Sequence, residues 1–246
     1  MARLPTVGVI PAAGLGTRLA PLGYPKELLP IVYRGGEGGR VPQPVVIASL
    51  EQLRRAGVVD CVVVIAEWKL ELVRVLGERA AEVALCYVVR SVPRGLADAL
   101  DATFAWVRDR DVCLVLPDTL VAPEDALARV KADLDASRAD LVLGVFPTDH
   151  PEQLGPVRIA DDGRVLEVLD KPARTEVRNT WGMAAWSPRF TALLHEAVGA
   201  QPEVVLGAVF DRAVKTGLHV RAISFAEGRF VDVGTPAGLA AALIQP

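Results

Sequence analysis

The sequence has few of the residues that build disulfide frameworks and metal clusters. Its 246 residues include only three cysteines and three histidines. The cysteines are far apart, odd in number and form no C-x-x-C pair, which argues against a disulfide framework or a zinc site. The histidines are scattered and predict no metal cluster. Because each cysteine lies in an apolar run, we expect buried thiols at Cys61, Cys86 and Cys113.

The chain also lacks a basic excess and a long apolar run. Lys and Arg number 27 against 30 Asp and Glu, so the formal net charge is −3. Domains that bind nucleic acid usually carry a strong basic excess, and we expect no nucleic-acid partner here. No apolar stretch approaches the roughly 18 residues of a membrane span. The N-terminus lacks the apolar region of a signal peptide, so we expect a cytoplasmic protein without a membrane partner.

The first 147 residues alternate between strand and helix patterns. Short apolar runs bounded by polar residues predict buried strands at Val7–Ile10, Cys61–Ala66, Val83–Val89, Val112–Leu116 and Leu141–Phe146. Apolar residues at helical spacing lie between them, in Val46–Leu53, Leu72–Leu76, Leu96–Val107 and Glu124–Ala136. This alternation predicts an α/β fold with a largely parallel sheet covered on both faces.

The pattern changes after residue 147. A D-G turn at Asp162-Gly163 predicts a hairpin of Val157–Ile159 with Val165–Val168. Two further strands and three helices are predicted, at Gly182–Trp186, Pro188–Val198, Leu206–Thr216, Val220–Phe225 and from Pro236 onward. No linker rich in Pro or Ser separates the halves. We therefore interpret residues 148–246 as an α+β lobe that completes one domain, 1–246, with residues 1–147.

One loop has an unusual composition. The segment Arg34–Arg40 contains four glycines. It predicts a mobile surface insertion, with a ligand lid as the alternative.

The first apolar run leads into a small-residue loop, Pro11–Arg18. Gly14 and Gly16 remove side chains that would keep backbone amides from an anion such as phosphate. No Gly-Lys-Ser/Thr of a P-loop follows, and Leu19 stands where a dinucleotide fingerprint needs its last glycine. Taken alone, the loop is explained equally well as a tight turn between a strand and a helix.

Two cations follow this loop. Arg18 lies two residues after Gly16, and Lys26 lies in a segment stiffened by three prolines, Pro21, Pro25 and Pro30. An arginine fork and a lysine point charge beside several backbone amides suit a polyphosphate. Each cation by itself is equally consistent with a solvated surface charge.

Two acidic residues stand where carboxylates serve metal binding. Asp118 follows the run Val112–Leu116, and Asp232 precedes the helix near Pro236. Open α/β sheets bind ligands beyond the carboxyl ends of their strands, and two carboxylates can hold Mg²⁺ that also binds phosphates. The residues alone do not show that the two acids meet, and a turn aspartate or a helix cap remain alternatives.

Together these residues resemble the signature of the sugar-1-phosphate nucleotidyltransferases, the NDP-sugar pyrophosphorylases that include glucose-1-phosphate uridylyl- and thymidylyltransferases. Eight positions carry the resemblance: Gly14, Gly16, Thr17, Arg18, Pro21, Pro25, Lys26 and Pro30. The other family motifs follow in family order as far as Leu239. The resemblance implies a Rossmann-like, doubly wound, mostly parallel but mixed sheet. It also implies a nucleotide-binding half, 1–147, and a small α+β half, 148–246, that binds sugar and completes the metal site.

The resemblance also implies site residues. Catalytic roles fall to Arg18 and Lys26, and Mg²⁺ binding falls to Asp118 and to Asp232 in the D-x-G-T motif. Nucleotide binding falls to Ala12, Ala13, Gly14, Gly16, Thr17, Arg90, Pro93 and Gly95. Sugar-phosphate binding falls to Gly155, Gly182, Asp170 and Lys171, the last two in an Asp-Lys-Pro motif where glutamate is more usual before the lysine.

The implied reaction joins a sugar-1-phosphate to a nucleoside triphosphate. Glucose-1-phosphate with UTP or dTTP is the expected pair, Mg²⁺ the expected cofactor. Arg90 stands where thymidylyltransferases often carry glutamine, which leaves the base open. Relatives are often dimers or tetramers, and the sequence leaves a homo-oligomer open.

Three other functions are alternatives to this one. A cytidylyltransferase of a small polyol phosphate would lack the Asp-Lys-Pro and D-x-G-T motifs. A non-catalytic regulatory homologue that binds nucleotide sugar usually lacks one of the charged residues, and all are present here. An oxidoreductase that binds a dinucleotide is disfavoured by Leu19.

Overall fold

The computed structural model of the chain describes residues 4–20, 22–36 and 39–244. Pro21 of the signature lies outside these ranges, as do residues 37 and 38 of the glycine-rich segment. The strands are β1 Leu4–Ala12, β2 Val32–Gly36, β3 Gly39–Gln43, β4 Asp60–Ala66, β5 Arg79–Ala80, β6 Val83–Arg90, β7 Arg110–Val115, β8 Thr119–Ala122, β9 Leu141–Pro147, β10 Val157–Ile159, β11 Val165–Val168, β12 Asn179–Trp186, β13 Val220–Ser224 and β14 Arg229–Asp232. The α-helices are α1 Val46–Arg55, α2 Glu71–Leu76, α3 Leu96–Asp101, α4 Phe104–Val107, α5 Ala126–Ser137, α6 Pro188–Ala200, α7 Leu206–Lys215 and α8 Pro236–Leu243.

Eight strands form a central mixed sheet in the order β13-β9-β12-β7-β1-β4-β6-β5. The pairs β7-β1, β1-β4, β4-β6 and β13-β9 are parallel, whereas β12 runs antiparallel to both its neighbours. β12 and β13 come from the second half of the sequence, so both halves share one sheet. The predicted α/β architecture with a mostly parallel, mixed sheet is confirmed.

Successive residues of the strands point to opposite faces of the sheet, and both faces are covered. In β7, Val112 and Leu114 pack on the side of α3, α6 and α7, whereas Cys113 and Val115 pack on the side of α1 and α5. Because successive side chains alternate between two buried faces, every residue of such a strand needs an apolar side chain. It explains why the central strands are continuous apolar runs rather than alternating ones.

The predicted hairpin of β10 with β11 is confirmed with the expected bounds. The segment Leu96–Val107, predicted as one helix, is two short helices, so that prediction is wrong. The break falls at Thr103, whose hydroxyl donates to the carbonyl of Leu100 at 2.7 Å. Such a side-chain bond competes with the backbone ladder and ends the first helix.

The glycine-rich segment contains more regular structure than the sequence predicts. β2 and β3 pair antiparallel, with Gly36 opposite Gly39 and Arg34 opposite Val41. Tyr33 and Val41 are about half exposed, so this hairpin does lie on the surface. The surface position agrees with the predicted insertion, and its mobility stays a prediction. The strands themselves were not predicted, because glycines supply no side-chain pattern, whereas ladder hydrogen bonds need only backbone groups.

In the described parts of the chain, no helix has the length and apolarity needed to cross a membrane.

The three cysteines differ in burial. Cys61 and Cys113 are buried in the central sheet, whereas Cys86 is exposed, so the prediction of a buried thiol is wrong at that position. Cys86 lies on β6, beyond which only the two-residue β5 extends the sheet. Its neighbours Leu85 and Tyr87 pack against the buried cluster on the side of α1 and α5, whereas Cys86 points to the opposite face and lines a surface cavity with Ala84 and Trp106.

We expect a maleimide reagent to modify Cys86 in the folded protein and to leave Cys61 and Cys113 unmodified. Burial raises the pKa of both buried thiols, that of Cys113 to about 12, which keeps them protonated and unreactive. Peptide mass spectrometry after labelling identifies the modified cysteine, and labelling in urea should reach all three. Modification of Cys61 in the folded protein at the rate of Cys86 would contradict the burial described here.

Candidate active site

The small-residue loop begins at the carboxyl end of β1. Ala12 and Ala13 are buried, whereas Gly14 and Thr17 are exposed. No atom lies within 4 Å of where a Cβ of Gly14 would be, so the backbone there is open to an approaching ligand. Gly16 has a φ of +70°, which favours glycine, and starts the 3-10 helix Thr17–Leu19. The loop therefore turns sharply and presents Arg18 directly beside its open backbone.

Four charged side chains converge beside this loop. Lys26 donates from Nζ to Oδ2 of Asp118, and both side chains are about nine-tenths buried. Arg18 donates from Nη1 to Oδ2 of Asp232 at 2.9 Å, at a more exposed position. Two cations from residues 18–26 thus meet two carboxylates that lie 92 and 214 positions further along the chain.

A glycine joins the two ion pairs. A Cβ on Gly234 would lie 2.5 Å from Oδ2 of Asp118, 2.7 Å from Nζ of Lys26 and 2.8 Å from Oδ1 of Asp232. The Gly234 N–H donates to Oδ1 of Asp232 at 2.8 Å. The two carboxylates are therefore close neighbours, and only glycine fits between them.

Pairing of β8 with β14 brings the two aspartates together. Asp232 is the register partner of Thr119, which directly follows Asp118. The Val233 N–H also donates to the carbonyl of Asp118 at 2.9 Å. The helix-cap alternative for Asp232 is wrong, because the cap of α8 is the hydroxyl of Thr235, which accepts from Gly238 N–H. The turn alternative describes part of the structure, because Oδ1 of Asp232 accepts from the Gly234 N–H, while Oδ2 pairs with the Arg18 guanidinium.

The donor set of this cluster fits Mg²⁺. In the described ranges there is no group of three or more Asp, Glu, His or Cys residues suited to a metal ion. Mg²⁺ usually takes only one or two carboxylates and completes its shell with waters and substrate phosphates. Asp118 and Asp232 supply two carboxylates at one place. Their partners Arg18 and Lys26 are groups that also pair with phosphate.

Arg90 lies at the end of β6, where it is the register partner of Ala66 on β4. Its Nη2 donates to both carboxylate oxygens of Asp98 at 2.8 Å, and Asp98 is buried on α3. The next residue of α3, Ala99, packs against Ala13 and Ala66, so the pair lies near the small-residue loop. Arg90 is therefore held by an ion pair through one guanidinium nitrogen rather than free in solvent.

Two further residues predicted to bind nucleotide lie between β6 and α3. Pro93 is half-buried, and Gly95 is exposed with a φ of +117° that favours glycine. Gly95 directly precedes α3.

The residues predicted to bind sugar phosphate lie in a second cluster. Lys171 and Asp170 are exposed, and the Lys171 N–H donates to the carbonyl of Leu154 at 2.8 Å. Lys171 has a φ of +42°, an uncommon conformation for a residue other than glycine. The backbone contact holds this turn beside Gly155. The contacts described here do not bring Lys171 to the four charges around Gly234.

Gly155 and Gly182 are glycines because aromatic rings occupy the space of a side chain. A Cβ on Gly155 would overlap the Trp181 indole, and one on Gly182 would lie 2.5 Å from the Phe230 ring. Phe230 belongs to β14, two residues before Asp232. Neighbouring residues of β12 therefore pack against different segments: Trp181 against Gly155, beside the Lys171 turn, and Gly182 against Phe230 of the strand that positions Asp232. The assignment of both glycines to sugar binding stays a prediction.

The sequence did not predict a role for three charged residues of this region. They are the buried Asp98 that pairs with Arg90, and the buried ion pair of Glu27 with Lys69. An acid among the apolar residues of α3 is a signal that could have pointed to Asp98. Lys69 carries no such signal, because a lysine after a strand is ordinarily a solvated charge.

A cavity of about 520 Å³ lies beside the loop, and its lining includes Gly16, Lys26 and Lys69.

The fold and this cluster of amides, cations and carboxylates define an α/β protein with a site suited to a polyphosphate. The sequence profile of the family described as Nucleotidyl transferase matches residues 7–244. The chain belongs to this family, and its resemblance to the sugar-1-phosphate nucleotidyltransferases is confirmed.

A curated relative and two solved structures illustrate the similarity. The chain is 28% identical over 195 residues to a glucose-1-phosphate thymidylyltransferase from Streptomyces griseus, covering 77% of this chain and 50% of the relative. A UTP-bound UGPase from Acinetobacter baumannii is 21% identical, with a TM-score of 0.79, over 98% of this chain and 93% of that one. A UDP-glucose pyrophosphorylase complexed with UDP-glucose is 18% identical, with a TM-score of 0.82, over 98% and 97%. At these identities the structural likeness shows the fold.

The curated relatives are longer than this chain. The chain covers 50% to 62% of the length of the first five that it matches.

We expect Gly234→Ala to destabilise the protein by about 1–3 kcal/mol, because the added methyl overlaps the carboxylates and the ammonium group around it. Urea unfolding followed by circular dichroism measures the change. Gly199→Ala is the matched control: no atom lies within 4 Å of its Cβ position in α6, and alanine favours the helix. Equal stability of Gly234→Ala and the wild type would contradict the close packing of the charged cluster.

Proposed function

We propose that this chain transfers a nucleotidyl group from a nucleoside triphosphate to a sugar-1-phosphate, with release of pyrophosphate. The observation that carries the proposal is the convergence of Arg18, Lys26, Asp118 and Asp232 beside the small-residue loop, where Lys26 approaches Gly16 and the backbone of Gly14 is open. Membership of the nucleotidyl transferase family supports it. A site built from fixed charges and amides suits this reaction, because phosphoryl-type transfer depends on alignment and charge neutralisation.

In the proposed reaction an oxygen of the sugar phosphate attacks the α-phosphorus. A bond forms between that oxygen and the α-phosphorus, and the bond from the α-phosphorus to the bridging oxygen of pyrophosphate breaks. The nucleophile is already an anionic oxygen, so the reaction needs no protein base. The pyrophosphate leaves with the electron pair of the broken bond.

Each residue has a distinct part in this proposal. The backbone from Ala12 to Thr17 binds the triphosphate, and Arg18 neutralises the leaving pyrophosphate. Lys26 lies across the reacting phosphates. Lys171 holds the incoming sugar phosphate, with Asp170 on the sugar hydroxyls and Gly155 and Gly182 beside the sugar. In this proposal the Lys171 turn contacts the sugar phosphate and the charged cluster contacts the triphosphate, so the two sites hold the two reactants side by side.

The nucleoside lies further along the sheet edge in this proposal. Arg90, Pro93 and Gly95 flank the base. Their position at the end of β6 and the start of α3, two strands from the loop, leaves room for a ribose between the base and the phosphates.

Asp118 and Asp232 are the residues that would hold Mg²⁺. A bound Mg²⁺ neutralises phosphate charge and orients the phosphate oxygens. In the structure the same two carboxylates pair with Lys26 and Arg18. Because each cation pairs either with a carboxylate or with a phosphate, substrate binding would exchange one set of ion pairs for another.

We propose glucose-1-phosphate with UTP or dTTP as the substrate pair. The support is the similarity of the chain to glucose-1-phosphate thymidylyltransferases and to a UDP-glucose pyrophosphorylase. Arg90 does not select between the two bases by residue type, since the guanidinium donates to a carbonyl oxygen of either.

The proposed activity is tested with a grid of nucleoside triphosphates against sugar-1-phosphates, scored by pyrophosphate release. We expect release for at least one pair in the presence of Mg²⁺, and its loss when EDTA removes the ion. Nucleotide binding without release for any pair would contradict the proposal and favour a regulatory, non-catalytic homologue. Release with a polyol phosphate but with no sugar phosphate would favour the small-molecule cytidylyltransferase.

We expect Arg18→Ala and Asp118→Ala each to lower kcat by about 10²–10³-fold, because each removes a charge aimed at the reacting phosphates. Arg108→Ala is the control for Arg18, since Arg108 is an exposed arginine paired only with its neighbour Asp109 among the contacts described. Circular dichroism establishes that the variants are folded. Turnover near the wild-type value in either site variant would refute the assigned roles.

A further inference from the structure

A buried ion pair lies beneath the charged cluster and outside the roles assigned above. Nζ of Lys69 donates to Oε1 of Glu27 at 2.7 Å and to the carbonyl of Ala12 at 2.9 Å. The side chains of Lys69 and Glu27 are only 4% and 1% exposed. Oε2 of Glu27 has no hydrogen-bond partner in the described structure. Burial raises the pKa of Glu27 despite the neighbouring ammonium group, as expected where little water is present.

This pair joins three segments that carry or border the site. Ala12 is the last residue of β1, directly before the small-residue loop. Glu27 follows Lys26 in the 3-10 helix Lys26–Leu28, and Lys69 ends the 3-10 helix Glu67–Lys69 after β4. Through a single ammonium group, the start of the loop and the turn that carries Lys26 are both fixed to the sheet. Only Ala13 lies between Ala12 and Gly14.

Stability alone gives little reason for such a pair. Removing two charges from water is costly, and well-packed apolar side chains of similar volume often stabilise a protein equally well or better. The half-satisfied carboxylate of Glu27 makes the arrangement less favourable still. What the pair supplies is geometry: the ammonium has a defined place between two acceptors, so the separation between the loop and the Lys26 backbone is fixed.

We propose that Glu27 and Lys69 are positioning residues that set the distance between the backbone of the small-residue loop and the ammonium group of Lys26. The role rests on the proposed function, because that distance matters when one triphosphate must contact both. Neither residue touches the reacting atoms in this proposal. They affect turnover by fixing the position of Lys26, whose ammonium group pairs with Asp118 in the structure.

The positioning role predicts a separation of stability from turnover. Lys69→Met alone leaves a buried carboxylate without its cation, and we expect strong destabilisation. The double variant Glu27→Gln/Lys69→Met removes both charges while keeping similar volumes, so folding should recover to within a few degrees of the wild-type Tm. We expect kcat of this folded double variant to stay about 10- to 100-fold below wild type, since small misplacements of reacting groups have effects of that size. KM for the nucleoside triphosphate should change by less than about threefold.

A cycle with Lys26→Ala tests whether the effect passes through Lys26. Adding Glu27→Gln/Lys69→Met to Lys26→Ala should lower kcat by less than about twofold further, because the group being positioned is already absent. Independent effects would instead multiply. Multiplied effects, or a wild-type kcat in the folded double variant, would overturn the proposal.

The matched control is Lys131→Met/Asp135→Asn in α5, which removes an ion pair of 2.9 Å that is more exposed and belongs to none of the site segments. We expect neither the Tm nor kcat of this control to change appreciably. A fall in its kcat comparable with that of the Glu27/Lys69 double variant would overturn the assignment, since any lost ion pair would then suffice.

Amide hydrogen exchange tests the positioning without turnover. In the Glu27→Gln/Lys69→Met variant we expect faster exchange in residues 13–19 and 26–29, and unchanged exchange in β4. Unchanged exchange in both segments would overturn the proposal whether or not the wild type is active. If the variant shows the faster exchange but the wild type releases no pyrophosphate, the positioning role is sustained and the proposed function fails.

Discussion

The site depends on compensation between two cations and two carboxylates gathered around one glycine. Lys26 with Asp118 and Arg18 with Asp232 form ion pairs whose members approach the same backbone position, Gly234. Four charges this close are stable together because each cation lies beside a carboxylate. A ligand can bind one of these side chains only when a charge of the ligand replaces the side chain's present partner. A triphosphate with a divalent cation carries both signs and can replace all four partners at once.

The sheet places these charges by joining distant segments. β1 delivers the small-residue loop at its carboxyl end, where parallel α/β sheets expose backbone and leave a crevice. Asp118 follows β7, the neighbour of β1, and the β8-β14 ladder adds Asp232 beside it. The buried Glu27–Lys69 pair then ties the loop to the turn that carries Lys26. Each charge of the cluster therefore lies in a short 3-10 helix, at the end of a strand or directly before one.

Local patterns predicted much of this fold. Continuous apolar runs gave the positions of the central strands, and the D-G turn gave the β10-β11 hairpin, because burial on both faces and turn chemistry both act on neighbouring residues. The predictions that failed depended on the surroundings. Thr103 interrupts a helix through one hydroxyl bond, and Cys86 lies on the open face of β6 rather than on the face that packs against α1 and α5. The β2-β3 hairpin, which the glycine pattern did not predict, forms through backbone pairing.

The amino-acid sequence by itself determined the family, the order of the elements and the residue types of the site, since motifs such as G-x-G-T-R and D-x-G-T are local in the chain. Only the tertiary structure decided which of these residues meet. The pairing of Arg18 with Asp232 spans 214 positions, and the burial of Lys69 against Glu27 depends on the end of β4 lying beside the end of β1. Such contacts follow from strand register and packing, which no local pattern of residues records.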